Sequence, residues 1–269
     1  MSDPAAWVGS TERAADRIEP WAAAALTAAL GRDDPPGIGE PLPAYWHHLH
    51  AKLPVPAGQT GPDGHWRRGT FQPPAEGRRM WAGGRVTWHR PLVVGEAVER
   101  VSTVRAVKAK PGRSGPLLFV ATEHRFGGPD GVAVVEEQDI VYRVGAATGA
   151  PRPAPKDAAW RREWRADPVL LFRYSALTFN GHRIHYDQAY AREVEGYAGL
   201  VVHGPLLATL LLDLLRRQGL TPRRFDFRAV APVLADRLFA VCGVPEGDGV
   251  RLWVEEAGEL RMTAEATVG

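Results

Sequence analysis

The chain has 269 residues, 45% hydrophobic and 24% charged, a composition typical of a globular protein. Its 33 Lys and Arg residues nearly balance 31 Asp and Glu residues, so charge favours neither a nucleic-acid nor a membrane partner. The single cysteine, Cys242, excludes an intramolecular disulfide and a cysteine metal cluster, and favours a cytoplasmic location.

The first half begins with a predicted helix at 18–30, since Pro20 lies near its start and Gly31 follows its end. A stretch rich in Pro and Gly, 35–84, is predicted to be irregular, with a short helix near 45–49. Alternating apolar residues then predict strands. They lie at 86–89, 98–107, 117–126 and 132–143.

A segment rich in Pro, Gly and Ala, 146–159, is predicted to link an N-terminal unit, 1–145, to a C-terminal unit, 160–269. The second unit contains a predicted helix at 205–218 that is apolar nearly all round and is therefore expected in the core. A short helix capped by Asp187 is predicted to end at Gly196. Strands are predicted at 169–175, 225–231, 238–244, 250–254 and 260–268.

The two halves share a weak repeat. Residues 90–96 align with 231–237 at an offset of 141, and each half has an apolar helix followed by strands. A helix wrapped by a curved antiparallel sheet, present twice, favours an α+β double hot dog whose two sheets join edge to edge.

Polar side chains crowd the segment 173–187, where His182 and His185 lie three residues apart. Imidazole changes charge near neutral pH and can take up and return a proton. Hydration of an enoyl thioester requires that ability, and it also requires hydrogen bonds to the thioester oxygen as the enolate forms.

The stretch 177–187 resembles the active-site segment of MaoC-like (R)-specific enoyl hydratases and dehydratases. That segment usually reads Ser-Gly-Asp-x-Asn-Pro-Leu-His-x-Asp, and its Asp and His are catalytic. With the family's His at His185, Asn180 occupies the Asp position, while His182 and Arg183 occupy the Asn and Pro positions. The pair His203-Gly204 resembles the family's His-Gly at the start of the central helix, whose backbone N–H binds the thioester oxygen.

The sequence of residues 178–187 is similar to that of one branch of this superfamily, which contains the type 2 hydroxyacyl-thioester dehydratases and the mesaconyl-C4-CoA hydratases. Residues 78–85, 112–117 and 136–143 resemble that branch too, so the resemblance covers roughly residues 15 to 268. It implies that only the second half is catalytic, while the first half shapes the acyl and coenzyme pocket.

Asn180 cannot act as a base, so the resemblance implies that His185 carries the proton transfer while Asn180 orients water or the carbonyl. His182 becomes a second acid–base candidate, and Gly204 and His203 are expected to bind substrate. A turn role for Asn180 and a helix-capping role for Asp187 are the structural alternatives.

A dicarboxylic substrate would suit a bidentate arginine, for which Arg173 and Arg183 are the first candidates. Arg78, Arg79 and Arg85 are rival candidates, and the sequence alone does not assign the role.

The leading expectation is a hydratase for a short branched dicarboxylic enoyl-CoA, such as mesaconyl-C4-CoA, giving citramalyl-CoA. Alternatives are an itaconyl-CoA hydratase, a 3-hydroxyacyl-ACP or -CoA dehydratase, or a non-catalytic acyl-CoA-binding protein. A thioesterase would need a carboxylate on the central helix, and its only acid, Asp213, lies far from Gly204.

No cofactor and no metal are expected, since His47, His48 and His50 have no convincing partner ligands and are predicted to lie in a packed or solvated loop. The expected partner is an acyl-coenzyme A thioester, with no nucleic acid and no membrane. The chain is expected to be a monomer or a homodimer.

Overall fold

Ten antiparallel strands form one sheet that runs through both halves of the chain. The structure is a computed structural model that describes residues 3–67, 69, 71–112, 115–144 and 151–269. The strand order is β1-β3-β4-β5-β2-β7-β10-β9-β8-β6. The strands are β1 (Thr11–Arg17), β2 (Arg78–Trp88), β3 (Ala97–Gly112), β4 (Gly115–Gly128), β5 (Gly131–Arg143), β6 (Trp160–Arg165), β7 (Pro222–Ala229), β8 (Leu238–Glu246), β9 (Gly249–Glu256) and β10 (Glu259–Val268). The helices are α1 (Pro20–Ala29), α2 (Pro168–Thr178) and α3 (Gly204–Arg217).

Each half follows the same path: an outer strand, a helix, a central strand and a three-stranded meander that begins beside the outer strand and ends beside the central strand. The offset of 141 predicted from sequence relates the two paths. Gly95 and Asp236 have left-handed φ angles of 95° and 61°, at corresponding turns. The isolated bridges of Val93 and Leu234 also correspond. The predicted double hot dog is confirmed.

Strands β2 and β7 join the two units at the middle of the sheet. Gly83 to Thr87 pair with Arg228 to Arg224 in antiparallel register, so the central edge of each unit is covered by the other unit. This pairing leaves β1 and β6 as the two outer edges of the sheet.

The two units differ in their helices. Helix α3 packs against β7, β8 and β9, and residues 206–215 are all buried, which confirms its predicted place in the core. Helix α1 corresponds to α2, because the backbone N–H groups of Gly95 and Asp236 donate to Ile18 and Ala166, each two residues before a helix-starting proline. Among the described residues, the first unit has no counterpart of α3. Trp46 and Leu49, from the segment between α1 and β2, join the shared core.

The strand predicted at 169–175 is wrong, because this segment lies in α2. The side chain of Asp167 accepts from the backbone N–H of Leu170 at 2.8 Å, and Pro168 occupies the first helical position. A short apolar run does not distinguish a strand from a buried helix by its pattern, and here the cap decides.

The stretch predicted to be irregular, 35–84, includes the first half of β2, which begins at Arg78, whereas other local predictions fall close to the observed elements. The short helix near 45–49 is a 3-10 turn, Trp46–Leu49, and the helix after Asp187 is a π-helical turn, Tyr190–Val194. Two sets of residues lie outside the described part of the chain: 146–150 of the predicted linker, and Arg113 and Ser114 of the segment 112–117 that resembles the dehydratase branch. In the part of the chain that the structure describes, no helix is long and apolar enough to cross a membrane.

Candidate active site

The end of α2 and the turn that follows it position the sequence-predicted motif. Phe179 ends α2 with a left-handed φ of 50°, and the N–H of Asn180 donates to the carbonyl of Ser175. The Asn180 Oδ1 accepts from the backbone N–H of His182 at 3.1 Å. An asparagine side chain stabilises such a turn, so this position has a structural role whatever its chemical role.

His185 has one ring nitrogen fixed by the backbone. Its Nδ1 donates to the carbonyl of Val201 at 2.7 Å, which leaves Nε2 as the acceptor nitrogen. The ring is buried and stacks on His203 with centroids 3.6 Å apart. Burial lowers the pKa of His185 to about 4, so the imidazole is neutral at pH 7 and can accept a proton.

His203 precedes α3 and is fully buried. Its Nε2 shares a hydrogen bond of 2.8 Å with the Ser175 hydroxyl, while Nδ1 has no partner among the described residues. Burial lowers its pKa well below the ordinary value. The pair His185–His203 therefore brings the histidine of the motif against the residue before the central helix.

The start of α3 can stabilise negative charge. The first N–H groups of a helix have no partner within the helix, and the helix dipole favours an anion there. A Cβ atom on Gly204 would overlap the ring of Trp81, which comes from β2 of the first unit and stacks on Phe227 at 4.7 Å. Glycine at 204 is thus required by the close approach of an indole that forms an apolar wall beside these N–H groups.

A loop of the first unit, 61–65, docks on the motif. The carbonyl of Asp63 accepts from the N–H of Arg183 at 3.0 Å, and Gly64 packs so closely on Gly181 that a Cβ would overlap its carbonyl oxygen. The ring of His65 lies 4.2 Å from that of His182, measured between centroids. Sequence reasoning missed His65, because no local pattern in 35–84 indicates which part of the second unit this loop meets.

His182 lies between two other histidines. Its ring is buried, and its centroid is 5.4 Å from that of His185. Burial lowers the pKa of His182 far below the ordinary value, and its Nε2 has no partner in the described part of the chain. The structure therefore brings His182, His185 and His203 together as the sequence predicts, and adds His65.

Neither of the two arginines that the sequence first favoured as partners of a substrate carboxylate points to that role, since one is paired with a protein carboxylate and the other is exposed. Arg183 donates to Asp187 at 2.7 Å and lies over the ring of Tyr190. Asp187 also accepts from the Tyr190 N–H at 2.9 Å, as its predicted capping role requires. Arg173 is exposed on α2 and forms no ion pair within the described ranges.

The other histidine group, His47, His48 and His50, is buried in the first unit. His47 donates to Glu136 at 3.1 Å, and His48 accepts from the Tyr174 hydroxyl at 2.8 Å. No group of three or more His, Cys, Asp or Glu side chains among the described residues is arranged to hold a metal.

A cavity of about 790 Å³ lies on the other side of the sheet. Its lining includes Asp226 and Arg228, which alternate along β7 with the core residues Phe225 and Phe227; Phe227 also borders it, and none of the four histidines of the site does. This cavity therefore belongs to the convex face and not to the histidine site.

The comparisons with known proteins agree with this geometry. Residues 45–235 match the family described as hydroxyacyl-thioester dehydratase type 2. A mesaconyl-C(4)-CoA hydratase from Chloroflexus aurantiacus is 44% identical to this chain, over 99% of this chain and 98% of that protein. Solved structures that share the fold include HtdX from Mycobacterium tuberculosis, 20% identical over 95% of this chain and 98% of that one, with a TM-score of 0.66. They also include a MaoC-like dehydratase from Phytophthora capsici, 15% identical over 97% of this chain and 95% of that one, with a TM-score of 0.72.

Proposed function

Because this chain belongs to the family of type 2 hydroxyacyl-thioester dehydratases, we propose that it is a hydro-lyase that adds water to mesaconyl-C4-CoA to give citramalyl-CoA. The observation that carries the reaction type is the pairing of a neutral, buried His185, whose Nε2 can accept a proton, with the start of α3. The substrate follows from the similarity to the Chloroflexus aurantiacus hydratase over nearly the whole of both chains.

In this mechanism the thioester oxygen accepts hydrogen bonds from the N–H groups at the start of α3, around Gly204. His185 Nε2 takes a proton from water, whose oxygen forms a bond to the acyl carbon that bears the methyl and carboxylate groups. The electrons of the double bond move toward the thioester oxygen and form an enolate. The enolate carbon then takes the proton from the His185 imidazolium, so one water is added in total.

Three further side chains have proposed roles around that step. The Asn180 amide nitrogen, which has no protein partner among the described residues, would orient the attacking water. His182 is the second candidate for proton transfer, and its neutral state at pH 7 is supported by its burial. His203 would fix the position of the His185 ring by stacking. Trp81 and the loop 61–65 support the proposal that the first unit, 1–145, shapes a pocket for the catalytic unit, 160–269.

The direct test is loss of the enoyl-thioester absorbance with mesaconyl-C4-CoA, crotonyl-CoA and itaconyl-CoA in parallel, for the wild type and for His185→Ala. Loss of a general base lowers the rate about 10²- to 10⁴-fold, so the substitution should nearly abolish turnover while circular dichroism shows a folded protein. A folded wild type that consumes none of the three thioesters would refute the reaction type.

The same experiment separates the alternatives. Faster turnover of itaconyl-CoA would favour an itaconyl-CoA hydratase, and equal rates on crotonyl-CoA would favour a general 3-hydroxyacyl-ACP or -CoA dehydratase. The family description favours the dehydratase as second candidate, because one site catalyses both directions of a reversible hydration. An acyl-CoA-binding protein without catalysis would bind the thioesters and leave their absorbance unchanged.

We further propose a cytoplasmic location and a monomeric or homodimeric state. The single cysteine, Cys242, is buried and unpaired, as is common in a reducing compartment. One chain already supplies both units of the ten-stranded sheet, so a monomer holds every residue of the proposed site.

A further inference from the structure

Arg79 lies on the face of β2 that looks toward α3. In the β2–β5 register, Arg79 is opposite Tyr142 and Trp81 is opposite Ile140. Tyr142 and Ile140 are both buried in one core cluster, and side chains two residues apart on a strand share a face. Arg79 is therefore on the same face as Trp81, the indole that contacts Gly204 at the start of α3.

The other candidate arginines have carboxylate partners or lie elsewhere. Arg78 pairs with Glu195 at 3.5 Å, Arg85 with Glu137 at 2.8 Å and Arg183 with Asp187 at 2.7 Å, while Arg173 is exposed on α2. In the described part of the chain, Arg79 forms no ion pair with a carboxylate. Burial is the main cause of the lowered pKa of His182, and the positive charge of Arg79 is among the smaller contributions from neighbouring groups. Arg79 is half-buried next to the histidine cluster, and a cation there without a carboxylate partner is available to bind an anionic ligand.

Two residues of the docked loop hold this arginine in place. Asp63 lies 3.4 Å from the Nδ1 of His65, measured from Oδ2, and its Oδ1 accepts from the His65 backbone N–H at 3.1 Å. The Nε2 of His65 lies 3.4 Å from Nη1 of Arg79. A guanidinium can only donate, so His65 accepts at Nε2 and presents its Nδ1–H to Asp63. One guanidinium nitrogen is thus positioned, and the rest of the fork remains for a ligand.

We propose that Arg79 binds the free carboxylate of a dicarboxylic acyl-CoA substrate and so sets the preference for such substrates over monocarboxylic ones. This inference rests on the proposed function. The thioester oxygen at the start of α3 and the carboxylate at the far end of a four-carbon acyl chain would be held on either side of His185. A planar guanidinium binds a carboxylate through two parallel hydrogen bonds, which an ammonium cannot reproduce.

The test compares succinyl-CoA with butyryl-CoA. Both are saturated thioesters that cannot be hydrated, and only succinyl-CoA has a terminal carboxylate. Equilibrium binding is measured for the wild type, Arg79→Met, Arg79→Lys and the control Arg85→Met. A charge-assisted pair favours binding about 10- to 100-fold, so the wild type should bind succinyl-CoA that much more tightly than butyryl-CoA. Arg79→Met should erase the difference by weakening succinyl-CoA alone, and Arg79→Lys should restore part of it. Arg85→Met should keep the wild-type preference, because Arg85 lies on the convex face.

Three results would overturn the assignment of Arg79: a wild type without preference, a preference that survives in a folded Arg79→Met, or equal weakening of both thioesters. The last result would indicate contact with the coenzyme. Since binding needs no turnover, a failed hydratase assay leaves this result interpretable. If the hydratase assay succeeds, Arg79→Met should lower kcat/KM about 10- to 100-fold on mesaconyl-C4-CoA and change it less than about threefold on crotonyl-CoA.

Discussion

At the scale of single residues, the proposed role of His185 as the base makes activity depend on its protonation. Burial lowers its pKa to about 4, below the ordinary value of about 6.5, so Nε2 stays free of a proton through most of the acidic range. We expect kcat/KM for the hydration to stay level between about pH 6 and 8 and to fall only toward about pH 4.

The measurement is a pH–rate profile in which the enzyme is incubated at each pH and then assayed again at pH 7. Recovery at pH 7 separates titration from unfolding. A decline centred near pH 6.5 would contradict the assignment of the buried His185 as the base.

Some site residues were predictable from sequence and others were not. His182, His185 and the pair His203-Gly204 occupy fixed spacings in one short motif and at one helix start, so local sequence identifies them. His65 reaches the site only because Gly64 packs on Gly181, and no local pattern encodes that contact. Arg79 was named among five arginines, and only the strand register and the ion pairs separate it from the others.

At the scale of elements, α3 carries one buried acid, Asp213. Its carboxylate accepts from Arg32 at 2.8 Å, from Arg162 at 3.0 Å and from Arg217 at 2.8 Å. It thereby ties the end of α3 to β6 and to the segment after α1 of the other unit. Its role is structural, in agreement with the sequence argument that it lies far from the helix start.

We expect Asp213→Ala to lower the free energy of unfolding by about 3–5 kcal/mol, because three arginines would remain together without their carboxylate. The matched control is Asp226→Ala, which removes an exposed pair with Arg224 and should cost about 0–1 kcal/mol. Urea unfolding measures both values. An equal, small effect of the two substitutions would show that the Asp213 network contributes little, and kcat should be unchanged in both variants.

The elements differ in how far sequence could predict them. Helix α3 has Gly204 and Pro205 at its start and Gly219 after its end, and these signals fix its bounds within a residue or two. Helix α2 was mistaken for a strand because its apolar run is short. Strands β1 and β6 were missed because residues such as those in Thr11–Arg17 are mostly charged and small, as edge strands often are.

At the scale of the whole molecule, buried neutral histidines make stability depend on pH. Burial lowers the pKa of His48 to about 3, and of His50 and His185 to about 4. In the unfolded chain these groups take up protons near pH 6.5. Between about pH 6.5 and 4 the unfolded state therefore binds more protons than the folded state, and stability falls as pH falls.

We expect Tm to decrease steadily between pH 7 and pH 4.5, with each such histidine contributing up to about 1.4 kcal/mol per pH unit. Glu136, whose pKa is lowered to about 2 despite its burial, mainly by its hydrogen bond with His47, acts in the same direction below pH 4.5. Differential scanning calorimetry across this range is the measurement. A Tm that is constant or rises on acidification would contradict the neutral state of the buried histidines.

The repeat of 141 residues was visible in sequence because Pro91 and Pro232 lie at the same turn, before Gly95 and Asp236 with their left-handed backbone. It predicted two units and their joined sheets. It did not predict that α3 lacks a counterpart in the described part of the first unit, because α1 has the apolar composition of a central helix although it corresponds to α2.

The presence of α3 in one unit, with no counterpart in the described residues of the other, bears on how such a chain can evolve. In a dimer of identical subunits every substitution occurs in both subunits. A change that improves the pocket-lining part of one subunit therefore also changes the same residue in the catalytic part of the other. Here the two units are separate segments of one chain, and only the second unit contains His185. Under the proposed function, substitutions in the first unit at positions such as Trp81 or His65 therefore alter the surroundings of one reaction centre and leave its histidine unchanged. Each unit can therefore come under its own selective constraint.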